Sequence, residues 1–382
     1  MKKSFRCSDR FISNNISNFT VEITQQCNFR CIYCCYSGSY TGMRTHTSKV
    51  MDMKTILHSI EFIKLHAHAS DKIVVSFFGG EALLGLDSIL IFVDNLNQFF
   101  GDRVSFDIST NGLLLTTEII DQLMCYNIGV SVSLDGCKEI HDKYRKTISG
   151  KESYDTIVSN LKCFKERYPE EYKKRIRLLV TVGSLEDIMA MNDNYSNFKE
   201  LLGDKPLFIS HIYPNFSKNE LYEDDFTLRK RFYDKALEHK KNGINDLYTI
   251  VLDDLLKKKN KVFSCIESCN TVNLKTCLDD MYCIFIDVEG QLYPCEKFKP
   301  CHFIGDVKTG INDKLLRKWS VIYNFRRTAL CGDCQQIEYC KRCLADLKMS
   351  FSEQKQMCAI YKENLELSKT YNDKINAYET NK

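Results

Sequence analysis

Three thiols fall within eight residues in the run Cys27-Asn28-Phe29-Arg30-Cys31-Ile32-Tyr33-Cys34. Three is the informative number. A structural tetrahedral metal site takes four protein ligands, whereas a cubane iron-sulfur cluster held by three cysteines leaves one iron open to a small molecule. A second concentration of sulfur lies downstream, where residues 265 to 358 hold 11 of the chain's 19 cysteines. An odd total cannot pair completely as disulfides, and the opening residues, MKKSFRCSDRFISNN, lack the apolar core of a secretion signal. Clustered thiols in a chain expected to sit in the reducing cytoplasm point to metal or catalysis before disulfides. A zinc site completed by Cys35 or by a distant ligand is the plain alternative for the first cluster.

Such a loop needs a frame. Runs rich in Val, Ile and Phe at Phe19 to Thr24, Lys72 to Phe78, Arg103 to Ser109, Ile128 to Leu134, Arg175 to Val182 and Pro206 to Ile212 read as strands. Helical patterns at 51–68, 87–99, 116–126, 153–167 and 185–202 lie between them. About six βα units imply a parallel sheet with helical crossovers, either doubly wound or a full or partial barrel. After residue 212 the strand pattern stops, and a charged, helix-compatible stretch ends in KKKNK at 257–261. The expected organisation is an N-terminal segment (1–18), a βα domain (19–212), a helical bridge (213–262), a cysteine-rich domain (263–365) and a polar tail (366–382).

In parallel α/β folds functional groups collect at the C-terminal ends of strands. The second predicted strand ends in Gly79-Gly80-Glu81, where glycines let backbone approach a ligand and a carboxylate can accept from an ammonium group. The third ends in Ser109-Thr110-Asn111-Gly112 and the fourth in Ser133-Leu134-Asp135-Gly136. Further on comes His141-Asp142-Lys143-Tyr144-Arg145, followed by Gly150.

The three-then-two spacing of the first cysteines, with an aromatic before the last, resembles the signature of radical S-adenosylmethionine (SAM) enzymes. The resemblance implies an α/β fold, a partial (β/α)6 TIM-type barrel, with Cys27, Cys31 and Cys34 on a [4Fe-4S] cluster whose open iron binds the methionine part of SAM. Electron transfer to the sulfonium then releases a 5′-deoxyadenosyl radical, chemistry of the cofactor to which the protein adds position and enclosure. By the same resemblance Gly79, Gly80 and Glu81 meet the cofactor's amino group, although Ala82 stands where a proline is usual. Ser109, Asn111 and Ser133 line its ribose and methionine side with Asp135 beside them, Arg145 meets its carboxylate, and Tyr33 sits against the adenine.

The C-terminal region reads Cys277, Cys283, Gly290, Cys295, then Cys331, Cys334, Cys340, Cys343 and Cys358. It resembles the SPASM extension of radical SAM enzymes, a cysteine-rich domain with two auxiliary [4Fe-4S] clusters, which would make three clusters in all. The resemblance assigns Cys277, Cys283, Cys295 and Cys343 to one and Cys331, Cys334, Cys340 and Cys358 to the other. The family usually places three residues between the last two cysteines of its central motif, but only Lys341 and Arg342 separate Cys340 from Cys343 here. Paired thiolates also satisfy zinc. Of the other cysteines, Cys7, Cys125, Cys137 and Cys163 read as core or surface thiols, and Cys35, Cys265, Cys269 and Cys301 as available substitute ligands.

A composition with 44% hydrophobic and 27% charged residues is that of a globular chain, and a net charge of +3 is too small to drive nucleic-acid binding. No stretch reads as the roughly 18 apolar residues of a membrane span. Relatives with the SPASM extension commonly act on residues within a peptide or protein and draw electrons from a donor such as flavodoxin or ferredoxin. Glu296 follows Cys295; in the resembling enzymes that mature sulfatases an aspartate there takes a proton from the substrate, so Glu296 is the candidate general base. Tyr36 matches an aromatic near the cofactor in the same enzymes. One reading is a maturase that forms a thioether or carbon-carbon crosslink in a ribosomally made peptide; the other is an anaerobic sulfatase-maturing enzyme that makes formylglycine. Compact length and the acid after Cys295 favour the second, whereas Glu for Asp, the altered cysteine spacing and the CCY run count against it. Against the first stand the roughly 20 residues ahead of the first strand, few for a peptide-docking domain. The balance falls narrowly on crosslinking. A metal scaffold without turnover is the third reading, and an open iron gives a scaffold nothing.

Overall fold

The computed structural model describes residues 16–34, 36–38, 42–203, 208–211, 226–256, 283–331, 334 and 351–379. The barrel strands are β1 (Asn18–Thr24), β2 (Ile73–Gly79), β3 (Val104–Thr110), β4 (Gly129–Ser133), β5 (Ile176–Val182) and β6 (Phe208–His211), parallel and adjacent in chain order. An order that never reverses keeps its right-handed crossovers on one face. The sheet is therefore part of a barrel rather than the doubly wound alternative. The crossovers carry α1 (Met53–His66), α2 (Leu86–Phe100), α3 (Thr117–Cys125), α4 (Lys138–Tyr144), α5 (Tyr154–Arg167), α6 (Pro169–Arg175), α7 (Leu185–Asp193) and α8 (Tyr195–Leu202).

Alternation along the strands sorts the two faces. Val75, Phe77, Phe106, Ile108, Val130, Val132, Leu178 and Val180 are buried under the helices, each contributing about 1.5–3 kcal/mol of burial. The opposite face carries Thr20, Glu22, Ser76, Phe78, Asp107, Ser109, Ser131, Ser133, Leu179 and Thr181, so the lumen is largely polar. The run Ala82–Arg103 has the length and apolar composition of a membrane span, which the sequence reading did not anticipate. It behaves as a core helix: Leu86, Ile89, Phe92, Val93 and Leu96 are buried, with Phe92 5.7 Å from Phe77, while Asp87 and Asp94 face outward.

The strand series continues beyond residue 212. β7 (Cys283–Ile286) lies parallel beside β1, with Asn18 opposite Cys283 and Val21 opposite Ile286, and β8 (Gln291–Tyr293), β9 (Gly305–Asp306) and β10 (Gly310–Ile311) follow antiparallel. Strands of two to four residues are too short to show as alternation in sequence. Gly290, at φ +81° in the β7–β8 turn, sits where a Cβ would lie 2.8 Å from Val307. Helices α9 (Phe226–Lys241) and α10 (Leu247–Leu256) occupy the expected bridge, and α11 (Asp313–Cys331) precedes the last cysteines. Where a polar tail was expected, α12 (Phe351–Glu379) runs on as helix. Its Tyr371 stacks on Tyr233 of α9 and donates to Asp234 at 2.6 Å. The helix expected over 185–202 is two, meeting at Asn194.

One buried cation ties the segment after the first cysteines to the cysteine-rich region. Arg44, 6% exposed, lies between the rings of Phe285 and Tyr293, 4.8 and 4.7 Å from their centroids. Its Nη1 donates to the carbonyls of Glu296 (3.0 Å) and Phe298 (2.8 Å). Arg44→Ala would strip both carbonyls of their donor, and stability is expected to fall by about 2–4 kcal/mol, read as a lower urea midpoint.

Candidate active site

The loop leaving β1 is held as one strand of a short antiparallel ladder. Arg30 N donates to Lys146 O (2.8 Å), Ile32 N to Tyr144 O (3.1 Å) and Ile148 N to Asn28 O (2.9 Å), with Phe29 bridged to Thr147. Alternation turns Phe29, Cys31 and Arg145 inward and Arg30, Ile32, Lys146 and Ile148 outward. Backbone amides begin the shell around the sulfurs: Phe29 N donates to Cys27 Sγ at 3.3 Å and Tyr36 N to Cys34 Sγ at 3.4 Å. Cys27, Cys31 and Cys34 form no disulfide and are all partly buried. Burial pushes the Cys27 thiol up to about 11 and also raises Cys31, whose shift Arg145 opposes. Thiolates there need added positive charge, which iron supplies. Among the described residues no three His, Cys, Asp or Glu side chains converge on a single-ion site. A cubane does not ask them to, since each thiolate takes a different iron. These residues fit an iron-sulfur cluster.

Gly79 and Gly80 pack closely against the chain that leads into the cysteines. A Cβ on Gly79 (φ +153°) would lie 2.3 Å from Thr24 O, and one on Gly80 2.0 Å from Gln26 O. Both let the end of β2 close on the chain that leads into the cysteines, where Gly80 N donates to Thr24 O (2.7 Å) and Glu81 N to Gln26 O (2.8 Å). Glu81, 1% exposed, is likewise engaged within the chain: Oε1 accepts from Thr110 Oγ1 (2.7 Å) and Leu83 N (3.1 Å), and Oε2 from Asn111 N (2.8 Å). Asn111 Nδ2 in turn donates to Asn28 Oδ1 at 2.7 Å. The ends of β2 and β3 are thus wired to the cysteine loop through Asn28, a residue that the spacing argument passed over.

Asp135 is the hub of the other side. Fully buried, its Oδ2 accepts from Tyr33 Oη (2.5 Å) and Arg145 Nε (2.8 Å), and its Oδ1 from Thr181 N (2.9 Å). Tyr33 is thereby fixed beneath the Arg145 guanidinium, 5.2 Å from its ring centroid, and 6.0 Å from Tyr144. Burial works against the charge on Arg145, and Asp135 more than offsets it, holding the guanidinium well above its ordinary pKa. His141 completes the support, accepting from Asp135 N at Nδ1 (3.3 Å) and meeting Ser153 Oγ at Nε2 (3.0 Å). Burial pushes it down to about 3, so the ring is neutral.

Ser109 and Ser133 end β3 and β4 on the lumen face, half-buried. Below them Asp107 accepts from Ser131 Oγ (2.9 Å) and pairs with Arg177. On β1, fully buried Glu22 accepts from Tyr36 Oη and from Val288 N (2.9 Å). Tyr36 therefore stands on the lumen side with Phe78, 6.2 Å away.

In the cysteine-rich region, the register Phe285↔Tyr293 and Ile286↔Leu292, carried two pairs further and past the end of β8 at Tyr293, would set Cys295 opposite Cys283. Cys283 begins β7 beside Asn18. The pair therefore lies about 20 Å along β1 from the end that carries Cys27, by the strand rise. The carboxylate of Glu296 makes no hydrogen bond or ion pair to a described residue, and its backbone is held by Arg44. Cys331 and Cys334 are joined through Cys334 N to Cys331 O (3.1 Å), and Cys358 lies in α12. Cys277, Cys340 and Cys343 lie outside the described residues, as do Cys7, Cys35, Cys265 and Cys269.

A parallel (β/α)6 barrel with a three-cysteine loop over its C-terminal end defines a class of enzymes that use an iron-sulfur cluster and SAM. Residues 21–191 match the model of the Radical SAM superfamily. The chain is 24% identical over 331 residues to the cysteine-type anaerobic sulfatase-maturating enzyme of Clostridium novyi, spanning 84% of this chain and 83% of that one. It is 26% identical over 152 residues to the radical SAM cyclopropyl synthase TigE of Paramaledivibacter caminithermalis, 38% of this chain and 32% of that one. The solved structure of native anSMEcpe with bound AdoMet and Cp18Cys peptide has the same fold, with a TM-score of 0.67, 20% identity and coverage of 94% of this chain and 99% of that one. Residues 21–191 are a Radical SAM superfamily domain, and a cysteine-rich C-terminal region follows it.

Proposed function

We propose that this enzyme oxidises a cysteine or serine side chain within a peptide or protein, as an anaerobic sulfatase-maturing enzyme does. The observation that carries the proposal is the similarity to the Clostridium novyi enzyme, which runs through barrel and extension alike. The crosslinking reading, narrowly preferred on sequence alone, becomes second, because its support, the match to the cyclopropyl synthase, spans less than half of either chain.

In this reading the cluster and SAM supply a carbon radical that takes a hydrogen atom from the substrate. Cys27, Cys31 and Cys34 hold the cluster. Arg145 binds the SAM carboxylate, since Asp135 holds only its Nε and leaves the two Nη groups for a planar anion. The hydroxyls of Ser109 and Ser133 face the ribose and methionine side. Gly79, Gly80, Glu81 and Asn111 fix the height of the cysteine loop over them, and Tyr33 fixes Arg145. Two auxiliary [4Fe-4S] clusters would take Cys277, Cys283, Cys295 and Cys343, and Cys331, Cys334, Cys340 and Cys358; the opposition of Cys283 and Cys295 supports the first set. Oxygen-labile clusters on cysteine thiolates suit a reducing cytoplasm.

The test is anaerobic turnover of a synthetic cysteine- or serine-containing peptide with SAM and dithionite. A carbonyl trapped by a hydrazide supports oxidation to formylglycine, whereas loss of two hydrogens without a reactive carbonyl supports a crosslink. Glu296, the proposed base, gives a sharper expectation. Glu296→Gln should lower product formation by about 100-fold or more while 5′-deoxyadenosine is still released; product at the parent rate would remove Glu296 from the mechanism.

A further inference from the structure

The outer face of the ladder that carries Cys31 is unused by the chemistry above. Ile32 is 48% exposed and Ile148 60%, and both stand out among exposed apolar side chains by lying beside the cluster loop. Arg30 and Lys146 lie opposite each other on the ladder between Ile32 and Ile148, with Lys151 after the turn that follows; all three are exposed, and none pairs with a carboxylate among the described residues. Because side chains alternate across the ladder, this face lies one backbone thickness from Cys31 and Arg145. Ile32 is also covalently adjacent to the cluster ligand. A small basic patch flanked by two exposed isoleucines suits a transient, charge-steered encounter rather than a permanent interface.

We propose that the face formed by Arg30, Ile32, Lys146, Ile148 and Lys151 docks a small acidic one-electron carrier protein that reduces the cluster held by Cys27, Cys31 and Cys34. The proposal rests on the radical SAM reading of that cluster. One electron leaves the carrier and one enters the cluster, with no bond made or broken. The positive charge of the face is complementary to an acidic carrier, and the side chains of Lys146 and Lys151 take no part in holding the loop, whose contacts at these residues are through backbone.

The experiment compares the parent with Lys146→Glu/Lys151→Glu, using a small acidic ferredoxin, chemically reduced, as the probe. Cluster reduction is followed by stopped-flow absorbance across a range of salt concentration, with 5′-deoxyadenosine release under dithionite measured in parallel. The variant should be reduced by ferredoxin about ten-fold or more slowly at low salt and should lose the parent's salt dependence, while dithionite-driven release stays at the parent level. Equal ferredoxin rates in the two proteins would overturn the docking face. So would loss of peptide turnover with unchanged ferredoxin reduction, which would mark the face as a substrate surface. No nucleoside release from the parent under dithionite would instead remove the radical SAM reading on which the proposal stands.

Discussion

Cys31→Ala is expected to lose about four irons per chain and to abolish 5′-deoxyadenosine release. The expectation follows from the ladder rather than from the motif alone. Cys31 points inward opposite Arg145, and the backbone on both sides of it is fixed by hydrogen bonds to Lys146 and Tyr144. The loop cannot shift another residue into its place. Cys34 follows only three residues later, in a turn closed by Cys34 N to Cys31 O (3.1 Å). Removing one thiolate therefore opens a second iron without a substitute ligand. Ile32→Ala is the control, because that side chain points away from the cluster and its loss should leave iron content and dithionite-driven release unchanged. If Cys31→Ala keeps its full iron content and still releases the nucleoside, the first cluster is not where the loop places it. If zinc replaces iron in the parent after anaerobic reconstitution, the cubane reading of the loop falls with it.

How much of this was legible before the structure depends on length and on which groups meet. β1 to β5 were found within about two residues of their ends, because each is a run of five to seven residues with a fully apolar helix-facing side. β7 to β10 were missed because a two- to four-residue strand gives too few alternations to count. α12 looked like a tail because, of its described side chains, Leu365 and Tyr371 are the buried ones and most of the exposed ones are polar or charged. The glycines of Gly79-Gly80 were recognised as places of close approach, but their closeness to the backbone of Thr24 and Gln26 was not. That omission is intrinsic to reading one segment at a time: a contact between residues some 55 apart leaves no local trace. Asp135 shows the same limit. Its motif drew notice as lining the cofactor's ribose and methionine side, yet Asp135 also gathers Tyr33, Arg145 and Thr181, which the sequence scatters across 149 positions.

Asp135→Asn should be the most damaging substitution outside the cysteines. Asparagine keeps the shape and can still accept from Thr181 N, but its amide cannot accept from Tyr33 or neutralise Arg145. The guanidinium would then be a buried charge without its counterion, a loss of about 3–5 kcal/mol, visible as a lower urea midpoint. SAM affinity should also fall, by about ten-fold or more, because a bidentate grip on a carboxylate depends on orientation and Asp135 supplies it. The two effects can be separated. Asp135→Asn/Arg145→Met removes both charges and should recover much of the lost stability, as replacing a whole buried pair commonly does. It should not recover SAM binding, since the group that meets the carboxylate is gone. Recovery of both would make the pair purely structural and leave the SAM carboxylate to another cation. Recovery of neither would mean that Arg145 packs the Tyr33 ring as much as it answers Asp135, consistent with its position over that ring. Either way, equilibrium dialysis of SAM set beside the unfolding curve tells whether this corner of the barrel is a brace, a binding group or, as the geometry indicates, a binding group aimed by its brace.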